Sequence, residues 1–135
     1  MERGTTVDFI AIDDDKGSNM ITEYTIRNGV LNAEIHTFQD AEKGIAFIEN
    51  SSPNDEKNYV ILLDINMPQL SGWEVLDKIS ILDKDIQDRL KIFILSSSVN
   101  PGDKEMAENN RLVSGYFEKP FRKSSLQVIL EDMDV

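Results

Sequence analysis

The chain contains no cysteine. That excludes a disulfide framework, thiolate metal sites and a cysteine nucleophile, and it fits a reducing compartment. Long apolar runs are missing as well. The longest are strand-length, far short of the ~20 residues of a membrane span. Met1 to Val7 has no apolar stretch of the kind a signal peptide carries, so a soluble cytoplasmic protein is expected. Positive charge is scarce: 14 Lys and Arg stand against 25 Asp and Glu, a net charge of −11. No Lys/Arg stripe offsets this, and an acidic surface repels nucleic-acid phosphates, so direct DNA or RNA binding is not expected. Repeats, low-complexity tracts and a linker to a second core are also absent. The 135 residues suit one domain, expected at residues 6–134, and no attached output domain is expected. A domain of this size buries roughly two-thirds of the surface its unfolded chain exposes. The surplus of carboxylates either keeps the protein soluble or converges in part on a cation.

What is present is organised around Tyr59-Val60-Ile61-Leu62-Leu63-Asp64. An apolar run without alternation reads as a strand buried on both faces. Val7 to Ile12 is a shorter run ending in Asp13-Asp14-Asp15. Gly17-Ser18-Asn19 can start a helix, with Met20, Ile21 and Tyr24 as its apolar face and Asn28-Gly29 as its stop. Leu31 to Phe38 alternates and suggests an edge strand. Asp40 caps a helix carrying Ala41, Ile45 and Ile48, and residues 50–58 read as a loop. Ser71-Gly72-Trp73-Glu74 matches a capping box, with Val75, Leu76, Ile79 and Leu82 following at helical spacing. Asp83 to Asp88 reads as a polar link. Ile92 to Leu95 is a fourth strand ending in three serines. Asn100-Pro101 opens a polar helix expected to be short and weakly held. Val113 to Phe117 is a fifth strand, closed by Glu118-Lys119-Pro120-Phe121. A last helix follows, with Leu126, Ile129, Leu130 and Met133 on its apolar face.

Strand and helix alternate five times, which predicts an α/β fold: a parallel sheet with helices on both faces. In such a sheet all strand carboxyl ends lie on one edge, where chemistry collects. That edge would bring together Asp13 and Asp14, Asp64, Ser96 and Lys119, which the sequence scatters. Carboxylates held close repel one another and raise their own pKa values. A divalent cation removes the conflict, and all-oxygen ligands select Mg²⁺, Mn²⁺ or Ca²⁺ over zinc. A lysine opposite the metal leaves a slot suited to a phosphoryl group, with Asp64 as nucleophile.

Four stretches in this order resemble the receiver domain of two-component response regulators. They are Ile12-Asp13-Asp14, Leu63-Asp64-Ile65-Asn66-Met67-Pro68 with Gly72, Leu95-Ser96-Ser97, and Tyr116-Phe117-Glu118-Lys119-Pro120-Phe121. The resemblance spans nearly the whole chain. It implies a doubly wound, flavodoxin-like (βα)5 sheet of order 2-1-3-4-5. It implies that Asp64 is the phosphoacceptor, Asp14 a direct Mg²⁺ ligand (Mn²⁺ being the alternative cation) and Asp13 the residue that orients water on the metal. Asn66 would complete the metal shell through its backbone carbonyl. Ser96 would be the switch hydroxyl, with Ser97 as the alternative, Lys119 the invariant amine and Tyr116 the aromatic switch. The Lys119-Pro120 bond is usually cis in that family. A sensor histidine kinase or histidine phosphotransfer protein would be the donor. The fourth helix, fifth strand and fifth helix would face a downstream partner, with the chain a monomer or a phosphorylation-linked dimer. The chain would not be an enzyme beyond catalysing its own Asp phosphorylation and dephosphorylation.

Other readings compete. Asp13-x-Asp15 is the spacing of haloacid-dehalogenase-type phosphatases, but that family needs a further acidic pair after its lysine strand, and the reading leaves residues 64–72 unexplained. A flavodoxin-like cofactor binder would need a phosphate cradle where three aspartates stand. A receiver-like scaffold that binds partners without phosphorylation would not need these residues. Among single residues, Trp73 reads as packing or a partner contact, and His36 has no assigned role.

Overall fold

Asn58–Asp64 is the middle strand of a five-stranded parallel sheet of order β2-β1-β3-β4-β5. A computed structural model of the chain describes residues 7–51, 57–97 and 100–133. Its elements run β1 (Val7–Ile12), α1 (Lys16–Gly29), β2 (Glu34–Phe38), α2 (Ala41–Glu49), β3 (Asn58–Asp64), α3 (Gly72–Ser80), α4 (Lys84–Gln87), β4 (Leu90–Ser96), α5 (Pro101–Glu108), β5 (Val113–Glu118) and α6 (Lys123–Asp132). The expected α/β fold and strand order are both present. No helix among the described residues is long and apolar enough to cross a membrane.

The unbroken apolar run of β3 is explained by its two neighbours. Ile61 and Leu63 join one core with Ile45 and Ile48 of α2, Val75 and Ile79 of α3, and Ile86 of α4. Val60 and Leu62 join the other with Ile26 of α1 and Leu126 and Ile129 of α6. Helices α1 and α6 thus cover one sheet face, and α2 to α5 cover the other. A strand buried on both faces has no position left for a polar residue until it ends, and Asp64 stands at that end.

Several helix boundaries follow from local chemistry. Asp40 accepts from the Glu42 amide at the start of α2. At α3 the Ser71 hydroxyl accepts from the Glu74 amide while the Glu74 carboxylate accepts from the Ser71 amide, completing the expected capping box. Asn100 accepts from Gly102 and Asp103 at α5, with Pro101 in the first turn. Only Ala107 of α5 is buried, as its polar sequence suggested.

Four local readings need correction. Helix α1 begins at Lys16, capped by Asp15, and its buried face is Asn19, Thr22 and Ile26. The expected apolar face is outside: Met20, Ile21 and Tyr24 are 61%, 48% and 73% exposed. Those residues lie on a neighbouring stripe, rotated away from the i, i+3, i+7 row that meets the sheet. Strand β2 starts only at Glu34, because Asn32 takes a left-handed backbone (φ 58°) in the turn before it. The polar stretch 83–88 contains the short helix α4, anchored by the buried Ile86. Of the loop read at 50–58, residues 52–56 lie outside the described residues, and Asn58 already belongs to β3.

The corrected face of α1 has a measurable consequence. Ile26→Ala should cost roughly 2–4 kcal/mol in urea unfolding, as large-to-small core substitutions do. Tyr24→Ser should stay within about 0.5 kcal/mol of wild type. The reverse ranking would show that the Met20/Ile21/Tyr24 stripe is the packed one.

Candidate functional site

At the carboxyl edge of the sheet the ends of β1, β3, β4 and β5 meet. Register pairs Ile12 with Leu63, Asp64 with Leu95, and Ser96 with Glu118. The residues just past each pair are therefore side by side: Asp13 and Asp14 beyond β1, Asp64 at the end of β3, Ser96 at the end of β4 and Lys119 beyond β5. Carboxylate oxygens of Asp13, Asp14 and Asp64 lie within 4.8 Å of one another. Asp13 and Asp64 are each 4% exposed, while Asp14 is open to solvent.

Backbone contacts fix the loop after β1. The Asp13 amide donates to the Phe38 carbonyl at 3.0 Å, and the Asp15 amide donates to Asp13 Oδ1 at 2.9 Å. Asp15 turns away from the pocket to cap α1, accepting from the Gly17 and Ser18 amides. On the other side, Asn66 donates its amide to Asp64 Oδ1 at 3.2 Å while its side chain is exposed. The turn after β3 is held by the Gly72 amide on the Ile65 carbonyl at 3.2 Å. A Cβ at Gly72 would fall 2.7 Å from the Asp64 carbonyl oxygen and from Ile65 Cα, so the helix can approach Asp64 only with glycine there.

Lys119 supplies the positive charge. Its Nζ lies 2.6 Å from Asp13 Oδ2 and 3.5 Å from Asp64 Oδ1. Its backbone amide donates to the Ser96 carbonyl at 2.7 Å, and the Lys119–Pro120 peptide is cis, the geometry usual in the resembled family. Burial alone would lower the pKa of this amine. Contact with Asp13, and then the charge of Asp64, outweigh burial and hold it above the ordinary lysine value. Burial pushes the Asp64 carboxyl up to about 6, and the neighbouring Asp13 charge adds to this; Lys119 and the Asn66 amide pull the other way.

The donor set fits a hard divalent cation. Three carboxylates within reach of one point offer only oxygen, the preference of Mg²⁺ and its relatives. Asp13 Oδ2 is buried and lies 2.6 Å from the Lys119 ammonium, and a carboxylate oxygen so engaged keeps a second lone pair that can face a cation. A hollow of about 300 Å³ opens beside Asp14, lined also by Gln39, Asp40, Met67, Pro68 and Leu70.

Of the residues singled out in the sequence, Asp13, Asp14, Asp64 and Lys119 are brought together by direct contact or proximity. Ser96 is fully buried at the end of β4 and Ser97 is exposed; Ser98 lies outside the described residues. Tyr116 is half-buried on β5, where it lines a groove with Lys104, Ala107 and Glu108 of α5. Trp73 packs against the core from the first turn of α3. Away from this edge, His36 lies 3.4 Å from the buried Asp8 carboxylate, which Lys57 also reaches at 3.3 Å. Asn19 was passed over in the sequence, although it stands on the Asn19/Thr22/Ile26 row and touches the pocket backbone.

A parallel doubly wound sheet with an acidic cluster and one lysine at its carboxyl edge defines a class of site, one that could hold a divalent cation beside a buried carboxylate. The profile of the response regulator receiver domain matches residues 9–131, and the chain belongs to that family. Response regulator Rcp1 of Synechocystis is 25% identical over 96 residues, covering 70% of this chain and 64% of that protein. The chain thus matches somewhat less than two-thirds of that relative's length. A response regulator receiver protein from Dyadobacter fermentans superposes with a TM-score of 0.86 at 27% identity, covering 94% of this chain and 97% of that one. A two-component response regulator from Cytophaga hutchinsonii gives a TM-score of 0.84 at 25% identity, over 95% and 96% of the two chains.

The raised Asp64 pKa carries a stability prediction. The folded carboxyl holds its proton up to about pH 6, whereas the ordinary value is 3.8, so between those values the folded state binds more protons. Stability therefore falls as pH rises through this window, and the penalty is complete above it. In metal-free buffer at pH 8, Asp64→Asn should stabilise the protein by roughly 1–3 kcal/mol. The gain should fade as pH drops from about 6 towards 4. A gain that persists unchanged at low pH would show that charge at Asp64 is not its source.

Proposed function

We propose that the chain is a phosphorylation-dependent switch in two-component signalling, with Asp64 as the phosphoacceptor. The observation that carries this reading is the convergence of Asp13, Asp14 and Asp64 within 4.8 Å, with Lys119 in contact with two of them. A solvated acidic turn needs no half-buried lysine, and a structural ion pair needs only one carboxylate.

The donor is a phosphohistidine on a sensor histidine kinase or a histidine phosphotransfer protein. An Asp64 Oδ atom bonds to phosphorus, the phosphorus–nitrogen bond breaks, and imidazole leaves with a proton. Asp64 must attack as the carboxylate. A pKa near 6 leaves it largely ionised at neutral pH while keeping it more basic than an ordinary aspartate. The carboxylates of Asp13, Asp14 and Asp64, with the Asn66 backbone carbonyl, would hold Mg²⁺, or Mn²⁺ in its place. Bound there, the cation offsets the charge on the phosphoryl oxygens. Lys119 sits where its ammonium can neutralise a second phosphoryl oxygen. Ser96, buried next to the Asp64 strand, is the hydroxyl that would donate to a third. Tyr116 stands in the groove between α5 and β5, where a change at Ser96 can be read. Helix α5, which flanks this groove, buries a single residue, Ala107.

The inserted α4 means that the face expected from the fourth helix, fifth strand and fifth helix is α5–β5–α6 in this chain. That face is where a downstream protein would bind. The reaction is the protein's own phosphorylation and dephosphorylation, with no turnover of a free substrate. A cytoplasmic location accompanies this reading. The phosphatase alternative loses its main support, because Asp15 is engaged in capping α1 instead of facing the pocket.

Beryllofluoride, a phosphoryl mimic, should bind in the presence of Mg²⁺ and shift the backbone amide resonances around Asp64, Ser96 and Tyr116. Asp64→Asn should abolish the shifts. Wild-type spectra unchanged at saturating Mg²⁺ would rule out the phosphoacceptor reading. Sustained hydrolysis of para-nitrophenyl phosphate would favour the phosphatase instead.

A further inference from the structure

We infer that Asn19 is a positioning residue of the acidic pocket, acting through its side-chain amide on the backbone that carries Asp13 and Asp14. The inference rests on the metal-site reading above and adds a residue to it.

Asn19 lies one turn into α1 and is 5% exposed. Its Nδ2 donates to the Asp13 carbonyl at 2.9 Å and to the Phe38 carbonyl at 3.4 Å. The Phe38 carbonyl also receives the Asp13 amide. One side chain therefore ties together the end of β1, the end of β2 and the first helix. The Asn19 amide donates to the Asp15 carbonyl at 3.1 Å, and Gln39 Nε2 reaches the Asp14 carbonyl at 3.4 Å from the opposite side. All three carbonyls of the acidic loop are thus held by groups outside it.

Packing alone does not account for an asparagine here. Its Oδ1 is buried and accepts no hydrogen bond among the described residues. An apolar side chain of the same size would fill the space beside Thr22 and Ile26 without that desolvation cost. What leucine could not supply is the pair of donors. Donors matter at this point because the Asp13, Asp14 and Asp64 carboxylates repel one another, and repulsion acts to swing the loop away from β3. Fixing the Asp13 carbonyl resists that movement and keeps the carboxylates in place before a cation arrives. Groups that orient metal ligands in this way commonly change affinity by 10- to 100-fold when removed.

The test is calorimetric titration of metal-free protein with Mg²⁺ alone, for wild type, Asn19→Leu and Asn19→Ser, alongside urea unfolding of the same samples. Asn19→Leu should raise the Mg²⁺ dissociation constant about tenfold in protein that is still folded. Asn19→Ser, which keeps a hydroxyl donor, should recover part of the loss. If Asn19→Leu does not fold, Asn19→Ala takes its place with the same expectation. Leucine or alanine variants that bind Mg²⁺ within twofold of wild type, whatever their unfolding midpoints, would make Asn19 a packing residue and overturn the inference alone. A wild-type protein that does not bind Mg²⁺ would overturn the site reading, and this inference with it.

Discussion

Three carboxylates crowded at one sheet edge repel each other, and the surrounding structure is arranged to hold them there. Two of the three are almost wholly buried, where water cannot screen them. Lys119 offsets part of the repulsion, bridging Asp13 and Asp64. Hydrogen bonds to the loop backbone take up more, from Asn19, Gln39 and the strand ends. Burial first, and the Asp13 charge after it, still leave the Asp64 pKa raised. A cluster of this kind could take a divalent cation, which would offset the charges already in place.

Topology makes the crowding possible. A parallel sheet of order β2-β1-β3-β4-β5 puts β1 and β3 side by side, so that Asp13 and Asp64 come from adjacent strands. Burial of β3 on both faces makes it rigid up to its last residue. Gly72 then lets the first turn of α3 pack directly over the Asp64 carbonyl. On the opposite flank α5 buries Ala107 and packs on β5.

Much of this was legible in the sequence, and the reasons differ by element. Unbroken apolar runs identified β3 and β4 because only doubly buried strands lack alternation. The capping box of Ser71 and Glu74 marked α3 because both halves of its chemistry are local. Strand-end positions then predicted which side chains would meet. Helix α1 was misread because its buried row contains two polar residues, Asn19 and Thr22, while three large apolar ones face solvent. Hydrophobicity cannot identify a face whose job includes hydrogen bonding. The start of β2 was lost to a single left-handed asparagine, and α4 to a helix with one buried side chain. Gly72 and Asn19 matter through tertiary approach, which composition and spacing do not encode.

The central claim is that Asp64 takes a phosphoryl group. Mass spectrometry after incubation with Mg²⁺ and a small acyl phosphate or phosphoramidate donor tests it most directly. The account predicts a mass gain of one phosphoryl group, confined to the peptide containing Asp64, labile to hydroxylamine as an acyl phosphate is, and absent without Mg²⁺. A modification on any other residue, or none in folded protein at saturating Mg²⁺ and donor, would contradict it.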